Sequence, residues 1–304
     1  MTRRSTARRI AGAVLAGGLA LAPVMAGAGA LDVYYERSVM VAADSRCGLF
    51  TPGVAAALAA AKAQARGAAL RSGVQNDGLI EVERRAAAKA GSIACDSPDI
   101  ATAAARVRQA FDGFARLTSL AYPGEMYGWQ AERARPEAGL AAWGLRQTTK
   151  FGWDRMDFGL ALRNGAQSLL AVASFADAAR PYTARLVMRD LSRAPQPYLD
   201  RRNTDAAGRI PLADRAPPRS ASLVFTAQAR SQAGRDLIGE EGPTGWAFRF
   251  PNAAAEALTG LDPRESVSIE FVFQGPSGDV VRTAYVEVGD FAAGRAFLAA
   301  TAQR

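Results

Sequence analysis

The stretch "SRCGLFTPGVAAALAAAKAQARG", residues 45–67, places a cysteine directly before a long alanine-rich segment. Proline is favoured at the first position of a helix, where its missing N–H is not needed, and Pro52 follows a threonine that can act as the cap. We therefore predict a helix from Pro52 to Gly73, capped by Thr51. Its apolar face combines residues at three- and four-residue spacing, namely Val54, Leu58, Ala61, Ala65 and Ala69.

The segments around this helix also show helical patterns. Upstream, "LDVYYERSVMVAAD" (31–44) predicts one helix; downstream, a loop containing "QNDG" leads to "LIEVERRAAAKAGSIAC" (79–95), a second helix ending near Cys95. A further helix is predicted from Ser97 and Pro98. If the helices before and after the loop form an antiparallel pair, Cys47 and Cys95 lie at adjoining ends. Residues 31–120 are thus predicted to form a small helical bundle.

Residues 1–30 are predicted to be a secretory signal peptide. Arginines precede an apolar run from Ile10 to Met25, and small residues follow it, with cleavage expected after Ala30 in preference to Ala28. The alternative is a membrane anchor, but about 16 apolar residues interrupted by glycine and proline fall short of the roughly 20 that span a bilayer. Four basic residues provide the positive start: Arg3, Arg4, Arg8 and Arg9.

Export would place the mature chain in the periplasm, with no stable membrane span once the signal is removed. Sec export is preferred over the twin-arginine route, which the paired arginines leave open. The signal holds four of the 37 basic residues, so the mature chain carries 33 against 29 acidic residues, a net charge of +4. This modest excess does not indicate a nucleic-acid-binding protein.

The two cysteines, Cys47 and Cys95, are predicted to form a disulfide, because exported proteins reside in an oxidising compartment. A catalytic cysteine usually needs a histidine base, and the chain contains no histidine. A zinc site of two cysteines without histidine would require two carboxylates, which is unusual. Closing a loop of nearly fifty residues would stabilise the fold by about 4 kcal/mol.

After "AYPGEMYGW" the apolar spacing changes from three and four residues to two, which indicates a domain boundary. "RMDFGLALR" (155–163) and "QSLLAVASF" (167–175) predict a hairpin turning at Asn164 and Gly165. Short helices are predicted at 252–258 and after a capping Asp290. The other predicted strands are "AAWGLRQTT", "YTARLVMRD", "ASLVFTAQA", "GWAFRF", "SVSIEFVF" and "VVRTAYVEV".

These patterns predict an α+β protein: a helical domain at 31–120 with one disulfide, and an antiparallel β-sandwich of about eight strands at 125–304. Within it, residues 192–220 form a long segment rich in proline and arginine, with six arginines and three aspartates. We favour a solvated connection for this segment. The alternative is a recognition loop for an acidic envelope component, with Arg201, Arg202 and Arg209 as candidate partner-binding residues.

A search for catalytic groups identifies no catalytic residue, metal ligand or cofactor motif. Without histidine the Ser-His-Asp arrangement and the usual zinc hydrolase sites are excluded. Two carboxylate pairs remain, Asp154 with Asp157 and Glu240 with Glu241; the first pair should point to opposite faces of a strand. The four tryptophans could stack on sugars but are predicted to fill the core. They are Trp129, Trp143, Trp153 and Trp246.

The stretches "AADSRCGLFTPGVAAALAAAKAQARGAALRSG" and "FGWDRMDFGLA" together resemble exported bacterial proteins of unassigned function. The stretch "SVSIEFVFQGPSGDVVRTAYVEVGDFAAGRAFLAA", 35 residues long, resembles the β-domain end of the invasion-associated locus B proteins. These resemblances imply fold and compartment, and they carry no site residues over.

The sequence therefore predicts a periplasmic binding or structural module of the cell envelope, and it favours a protein without enzymatic activity and without a cofactor. Its partner would be an envelope protein or an acidic envelope component. The alternative is a carboxylate-dependent hydrolase of envelope glycans or esters, which needs two carboxyl groups about 5 to 10 Å apart in a cleft.

Overall fold

A computed structural model describes residues 28–133, 136–199, 204–239 and 244–300. Most of the predicted signal peptide lies outside these ranges, so it stays a prediction. Four helices come first: α1 Ala28–Cys47, α2 Pro52–Arg71, α3 Asn76–Ser92 and α4 Pro98–Arg116. The predicted helices are confirmed, but Asn76 to Gly78 form the first turn of α3 instead of a loop.

Helix α1 is the centre of the bundle, since it makes the principal contacts with both α2 and α3. Tyr34 of α1 is fully buried against Leu70 of α2 and Leu79 of α3. The predicted antiparallel pair of α2 and α3 is therefore wrong as the main packing unit. The reason is the small side chains of α2, which let it approach α1 on one side and a carboxy-terminal helix on another.

The starts of the helices use different caps. Ser97 caps α4, because its hydroxyl accepts a hydrogen bond from the backbone N–H of Ile100 at 3.3 Å. Thr51 precedes α2 in an extended conformation but its side chain makes no capping hydrogen bond, so that part of the prediction is wrong. Pro52 at the first helical position has no N–H to satisfy, which lessens the need for a cap.

The second part of the chain forms two antiparallel sheets. The seven-stranded sheet has the order β1-β2-β3-β4-β5-β9-β8 and the four-stranded sheet the order β11-β10-β6-β7. The strands are β1 Ser119–Tyr122, β2 Trp129–Glu132, β3 Ala141–Phe151, β4 Asp154–Arg163, β5 Ala166–Ser174, β6 Thr183–Arg189, β7 Ser222–Thr226, β8 Ala229–Gln232, β9 Trp246–Phe250, β10 Ser266–Gly275 and β11 Gly278–Glu287.

The α+β class with a disulfide-linked helical part and antiparallel sheets is thus confirmed. The described residues contain eleven strands where about eight were predicted. Strands β1 and β2 have four residues each, too few to show a period. The segment "ASLVFTAQA" was predicted as one strand, but it supplies β7 to one sheet and the start of β8 to the other.

The main core lies between the two sheets. Val267, Ile269, Phe271 and Phe273 of β10 all point into it, as their alternation predicts. Phe271 stacks on Phe151 of the seven-stranded sheet with ring centroids 5.7 Å apart. Aromatic residues of both sheets therefore fill one interface.

Two short helices, α5 Arg235–Ile238 and α6 Asn252–Thr259, and a final helix, α7 Phe291–Ala299, complete the fold. Helix α7 packs on β2 and β3, and α2 packs on α7. Phe114 of α4 meets Phe297 of α7 edge to face at 5.2 Å between ring centroids. The helical part is thus joined to the sandwich through α7.

Asp290, predicted to cap α7, makes no capping hydrogen bond. Its carboxylate instead accepts two hydrogen bonds from the guanidinium of Arg71 in α2, at 3.1 and 3.0 Å. Asp290 is only 3% exposed, and this burial raises the pKa of its carboxyl group although Arg71 opposes the change. This ion pair connects the helical part to the sandwich. Among the described residues no helix is both long and apolar enough to cross a membrane.

Candidate functional site

The two cysteines form the predicted disulfide. Cys47 and Cys95 are bonded, with their Cα atoms 5.7 Å apart. Cys47 is the last residue of α1 and Cys95 follows the end of α3, so the bond joins the carboxyl ends of these two helices. The sulfur atoms are therefore a structural link, and neither cysteine is a free nucleophile.

Of the three candidate partner-binding arginines, Arg209 lies among the described residues. Its guanidinium forms an ion pair with Asp205 at 2.9 Å, and its side chain is 42% exposed. Part of its charge is thus used within its own loop. Arg201 and Arg202 lie outside the described residues, as do Glu240 and Glu241 of one candidate carboxylate pair.

The other carboxylate pair does not converge. Asp154 accepts a hydrogen bond from the backbone N–H of Ala176 at 2.9 Å and one from Arg282 at 3.1 Å. Asp157 accepts a hydrogen bond from the hydroxyl of Thr148 and one from Arg155. Each carboxylate has its own partners at a different place on β4, so this pair holds the structure and does not form a two-acid centre.

The tryptophans do not all serve the core. Trp129 is fully buried, and its indole N–H donates to the carbonyl of Val288 at 3.0 Å. Trp143 and Trp246 are partly buried, and the guanidinium of Arg230 lies 3.7 Å from the ring centre of Trp246. Trp153 is 96% exposed at the turn between β3 and β4, so the prediction of core packing is wrong for this residue.

A cleft lies on the outer face of the four-stranded sheet, beneath a segment that we call the roof (residues 196–199 and 204–219). Leu212 and Ile210 of the roof are buried, and the hydroxyl of Ser266 in β10 donates to the carbonyl of Leu212. Part of the proline- and arginine-rich segment is therefore packed on the sheet, not only solvated.

This cleft, which we call the sheet cleft, has a volume of about 790 Å³. Strand residues form its floor, and the roof contributes three prolines and Tyr198. The floor side chains are Val187, Ser222, Ser268, Glu270, Thr283 and Tyr285. The lining thus combines hydroxyl groups, two tyrosines and apolar prolines, which suits a polar ligand with some apolar surface.

Glu270 is the central charged group of the sheet cleft. It is 6% exposed, and its two oxygens face two guanidinium groups, Arg185 at 3.0 Å and Arg219 at 2.6 Å. Arg185 comes from the neighbouring strand β6, whereas Arg219 comes from the roof. Because the carboxylate lies between two cations, it is well suited to fixing the positions of these arginines.

Tyr285 provides a hydroxyl group that stays protonated. Burial raises the pKa of its phenol, and the negative charges of Glu270 and Asp214 raise it further. Tyr285 therefore remains a neutral hydrogen-bond donor and acceptor above neutral pH.

A second cavity, which we call the junction cavity, has a volume of about 640 Å³ and lies where the helical part meets the sandwich. Its wall includes Arg71 of α2 together with Arg215 and Arg264 of the sandwich. Pro197 and Leu199 of the roof line both cavities. Among the described residues no group of three histidine, cysteine or carboxylate side chains is arranged to hold a metal ion.

The sequence analysis did not identify the residues of the sheet cleft as candidate site residues. The alternation of apolar and polar residues along β10 correctly places Glu270 on the face opposite the core, where a charged residue is expected to be exposed to solvent. Its burial depends on Arg219, which lies 51 residues away on the roof. A run of two prolines before Arg219 signals a loop, but no spacing rule connects that loop to this strand.

No protein-family model, curated protein or solved structure matches the chain. The resemblance to exported bacterial proteins and to the invasion-associated locus B proteins therefore stays a prediction.

Proposed function

We propose that this protein is an exported, periplasmic binding module of the bacterial cell envelope, and that it binds an envelope protein or an acidic envelope component. The observation that carries the proposal is the sheet cleft, in which a buried carboxylate orients two arginines among hydroxyl groups. The disulfide supports the compartment, because disulfides persist in oxidising environments.

The chemistry of the sheet cleft favours recognition of oxygen-rich groups. Arg219 is 69% exposed, and one of its N–H groups is used by Glu270. Its other N–H groups have no partner within the described ranges, so they are available to carboxylate or hydroxyl oxygens of a ligand. Tyr198 and Tyr285 can cover the apolar faces of such a ligand.

The alternative, a carboxylate-dependent hydrolase, is supported less well. Two carboxylates from the described residues line the sheet cleft, Glu270 and Asp214. A hydrolase needs one of them as a base or nucleophile and the other as an acid. Both oxygens of Glu270 face arginines, so this carboxylate is occupied by ion pairs and is not directed at a substrate.

Capture from an envelope extract tests the binding function. Thr283 lies opposite Glu270 on β11 and lines the sheet cleft. Thr283→Trp should fill the floor and lose the partner that the wild-type protein captures, as identified by mass spectrometry. Ser231→Trp, on the exposed strand β8 of the other sheet, is the matched control and should keep it. Equal capture by both variants would argue against the cleft as the binding site.

Export is tested separately by expressing the full chain in a Gram-negative host. We expect the protein in the periplasmic fraction, with an amino terminus at Leu31 and no titratable thiol. A chain that keeps its first thirty residues, or one recovered from the cytosol with two free thiols, would contradict the proposed compartment.

The capture experiment can also test whether Arg201 and Arg202 contribute to partner binding. If the segment that contains them contacts an acidic component, Arg201→Glu with Arg202→Glu should weaken capture and make the remaining capture less sensitive to salt. Unchanged recovery would remove these two residues from the binding surface while leaving the sheet cleft as the site.

A further inference from the structure

The junction cavity brings three arginines from distant parts of the chain into one wall. Arg71 ends α2, Arg215 belongs to the roof, and Arg264 precedes β10. Among the described lining residues the single carboxylate is Glu125, whose side chain is 37% exposed. The cavity wall is therefore rich in hydrogen-bond donors.

Arg215 is held rigidly and still has donor groups to spare. It is 1% exposed; its Nε donates to the carbonyl of Ile210 at 2.7 Å, and its Nη1 lies 3.0 Å from Glu125 and 3.3 Å from the carbonyl of Arg264. Its Nη2 is buried and has no hydrogen-bond partner within the described ranges. Buried N–H groups of a charged side chain are costly to leave without an acceptor, so an acceptor oxygen beside this nitrogen would stabilise the folded protein.

Arg71 and Arg264 are each held by a carboxylate that does not line the cavity. Asp290 holds Arg71 in a two-bond pair, and Asp262 holds Arg264 with hydrogen bonds of 3.0 and 2.8 Å. These pairs preorganise the guanidinium groups and also reduce the net positive charge of the region. Selection of a ligand would therefore depend on the directions of the N–H donors more than on long-range attraction.

Two side chains at the start of α3, Gln75 just before the helix and Asn76 as its first residue, complete the wall. Gln75 is exposed, and Asn76 uses its carbonyl oxygen to accept a hydrogen bond from Arg66 at 3.1 Å, which leaves its NH₂ group directed elsewhere. The helical part and the sandwich thus both contribute donors to one cavity.

We propose that the junction cavity binds a compact oxyanion, a carboxylate or phosphate group with at least two acceptor oxygens, and that Arg215 is its central ligand. Arg71 and Arg264 contact the same anion from the two sides of the junction. The bound group would supply the acceptor that Arg215 lacks and would connect the helical part to the sandwich. This site is separate from the sheet cleft, and its occupant is a small anion instead of a macromolecule.

Titration of the full-length oxidised protein with inorganic phosphate and with malonate, at constant ionic strength, tests the proposal. Calorimetry should detect saturable binding of at least one of them, accompanied by a higher midpoint of thermal unfolding. Binding of phosphate alone identifies a phosphate ligand, and binding of malonate alone identifies a carboxylate ligand; either result supports the site.

Variants locate the binding. Gln75→Glu puts a negative charge in the wall at an exposed position and should weaken binding at least tenfold, whereas Gln109→Glu on the exposed surface of α4 should leave it unchanged. Arg264→Gln should also weaken it, and the sheet-cleft variant Thr283→Trp should not. Equal binding by Gln75→Glu and Gln109→Glu, or no saturable binding of either anion by the wild type, would overturn the proposal.

Discussion

The ion pair of Arg71 and Asp290 shows how one residue pair can connect two layers of the protein. The side chain of Asp290 is 2% exposed and that of Arg71 is 23% exposed, so the carboxylate depends on a cation that comes from a different part of the chain. A buried charge without its partner is strongly destabilising, whereas the pair itself contributes little net free energy.

Arg71→Ala is therefore expected to lower the free energy of unfolding by about 3 kcal/mol at pH 7. Burial already raises the pKa of Asp290 above its unfolded value, so protonation stabilises the folded state. The loss should thus shrink as the pH falls through the raised pKa, and Arg71→Ala with Asp290→Asn should recover part of it. Urea unfolding at several pH values measures this, with the exposed pair variant Arg84→Ala as a control of little effect.

Asp177 gives the opposite pH dependence. Hydrogen bonds from Arg282 lower the pKa of its carboxyl group from 3.8 to about 2. Its contribution to stability is thus fully present above pH 4 or so and is lost as the pH falls toward 2. Asp177→Asn should be less stable than the wild type at pH 7, with a difference that disappears between about pH 4 and 2. A difference that stays constant over this range in urea unfolding, relative to Asp112→Asn on α4, would contradict the assignment.

The disulfide acts on whole helices, because it joins the ends of α1 and α3 across a sequence separation of 48 residues. The chain-entropy estimate for a loop of this length is about 4 kcal/mol. We expect Cys47→Ala with Cys95→Ala to lower the free energy of unfolding by up to about this amount, and the wild type with reductant to behave like the variant. Urea unfolding followed by circular dichroism measures the change; equal midpoints with and without reductant would contradict it.

Gly159 is required where β4 passes the irregular part of β3. Its φ is +150°, and a Cβ atom there would lie 2.0 Å from the carbonyl oxygen of Leu145. Gly159→Ala should therefore destabilise the protein by about 3 kcal/mol, because backbone would have to move. Gly113→Ala, in an open position of α4, is the matched control and should raise the free energy of unfolding by about 0.5 to 1 kcal/mol. Thermal unfolding of the two variants compares them, and similar midpoints would refute the packing argument.

Most of the longer helices and strands could be predicted, because each is long enough to repeat its spacing of apolar side chains several times. The hairpin of β4 and β5 turns at Asn164 and Gly165, whose φ values are 51° and 78°, as the dipeptide indicates. Short strands such as β1 show no period, and one continuous apolar run divides between two sheets where the chain crosses over. Packing partners were harder to predict: α1 packs on both α2 and α3, and alanine-rich patterns do not specify which helices become neighbours.

The candidate site could not be predicted, since its residues meet only through tertiary structure. Glu270, Arg185 and Arg219 come from two strands and the roof, and each is unremarkable in its own segment. The disulfide could be predicted because the chain offers one pairing of its two cysteines. The sequence was sufficient for the disulfide, which has one possible pairing, but not for the sheet cleft, which depends on long-range contacts.

The contacts of α2 and α4 with α7 predict that the helical part and the sandwich unfold together. The four tryptophans all lie between residues 129 and 246, so their fluorescence reports the sandwich, while circular dichroism at about 222 nm reports mainly the helices. The two signals should give coincident urea transitions, and Phe114→Ala should move both midpoints equally. Two separate midpoints would show that the layers are energetically independent.

Pro197 and Leu199 form part of the wall of both cavities. An occupant of one cavity that displaces residues 197–199 changes the shape of the other cavity. Thermodynamic linkage then requires the effect to be reciprocal: whatever factor the small anion applies to the affinity for the envelope ligand, that ligand applies to the affinity for the anion. If the bound anion moves residues 197–199, the affinity of the protein for its partner would depend on the concentration of that anion.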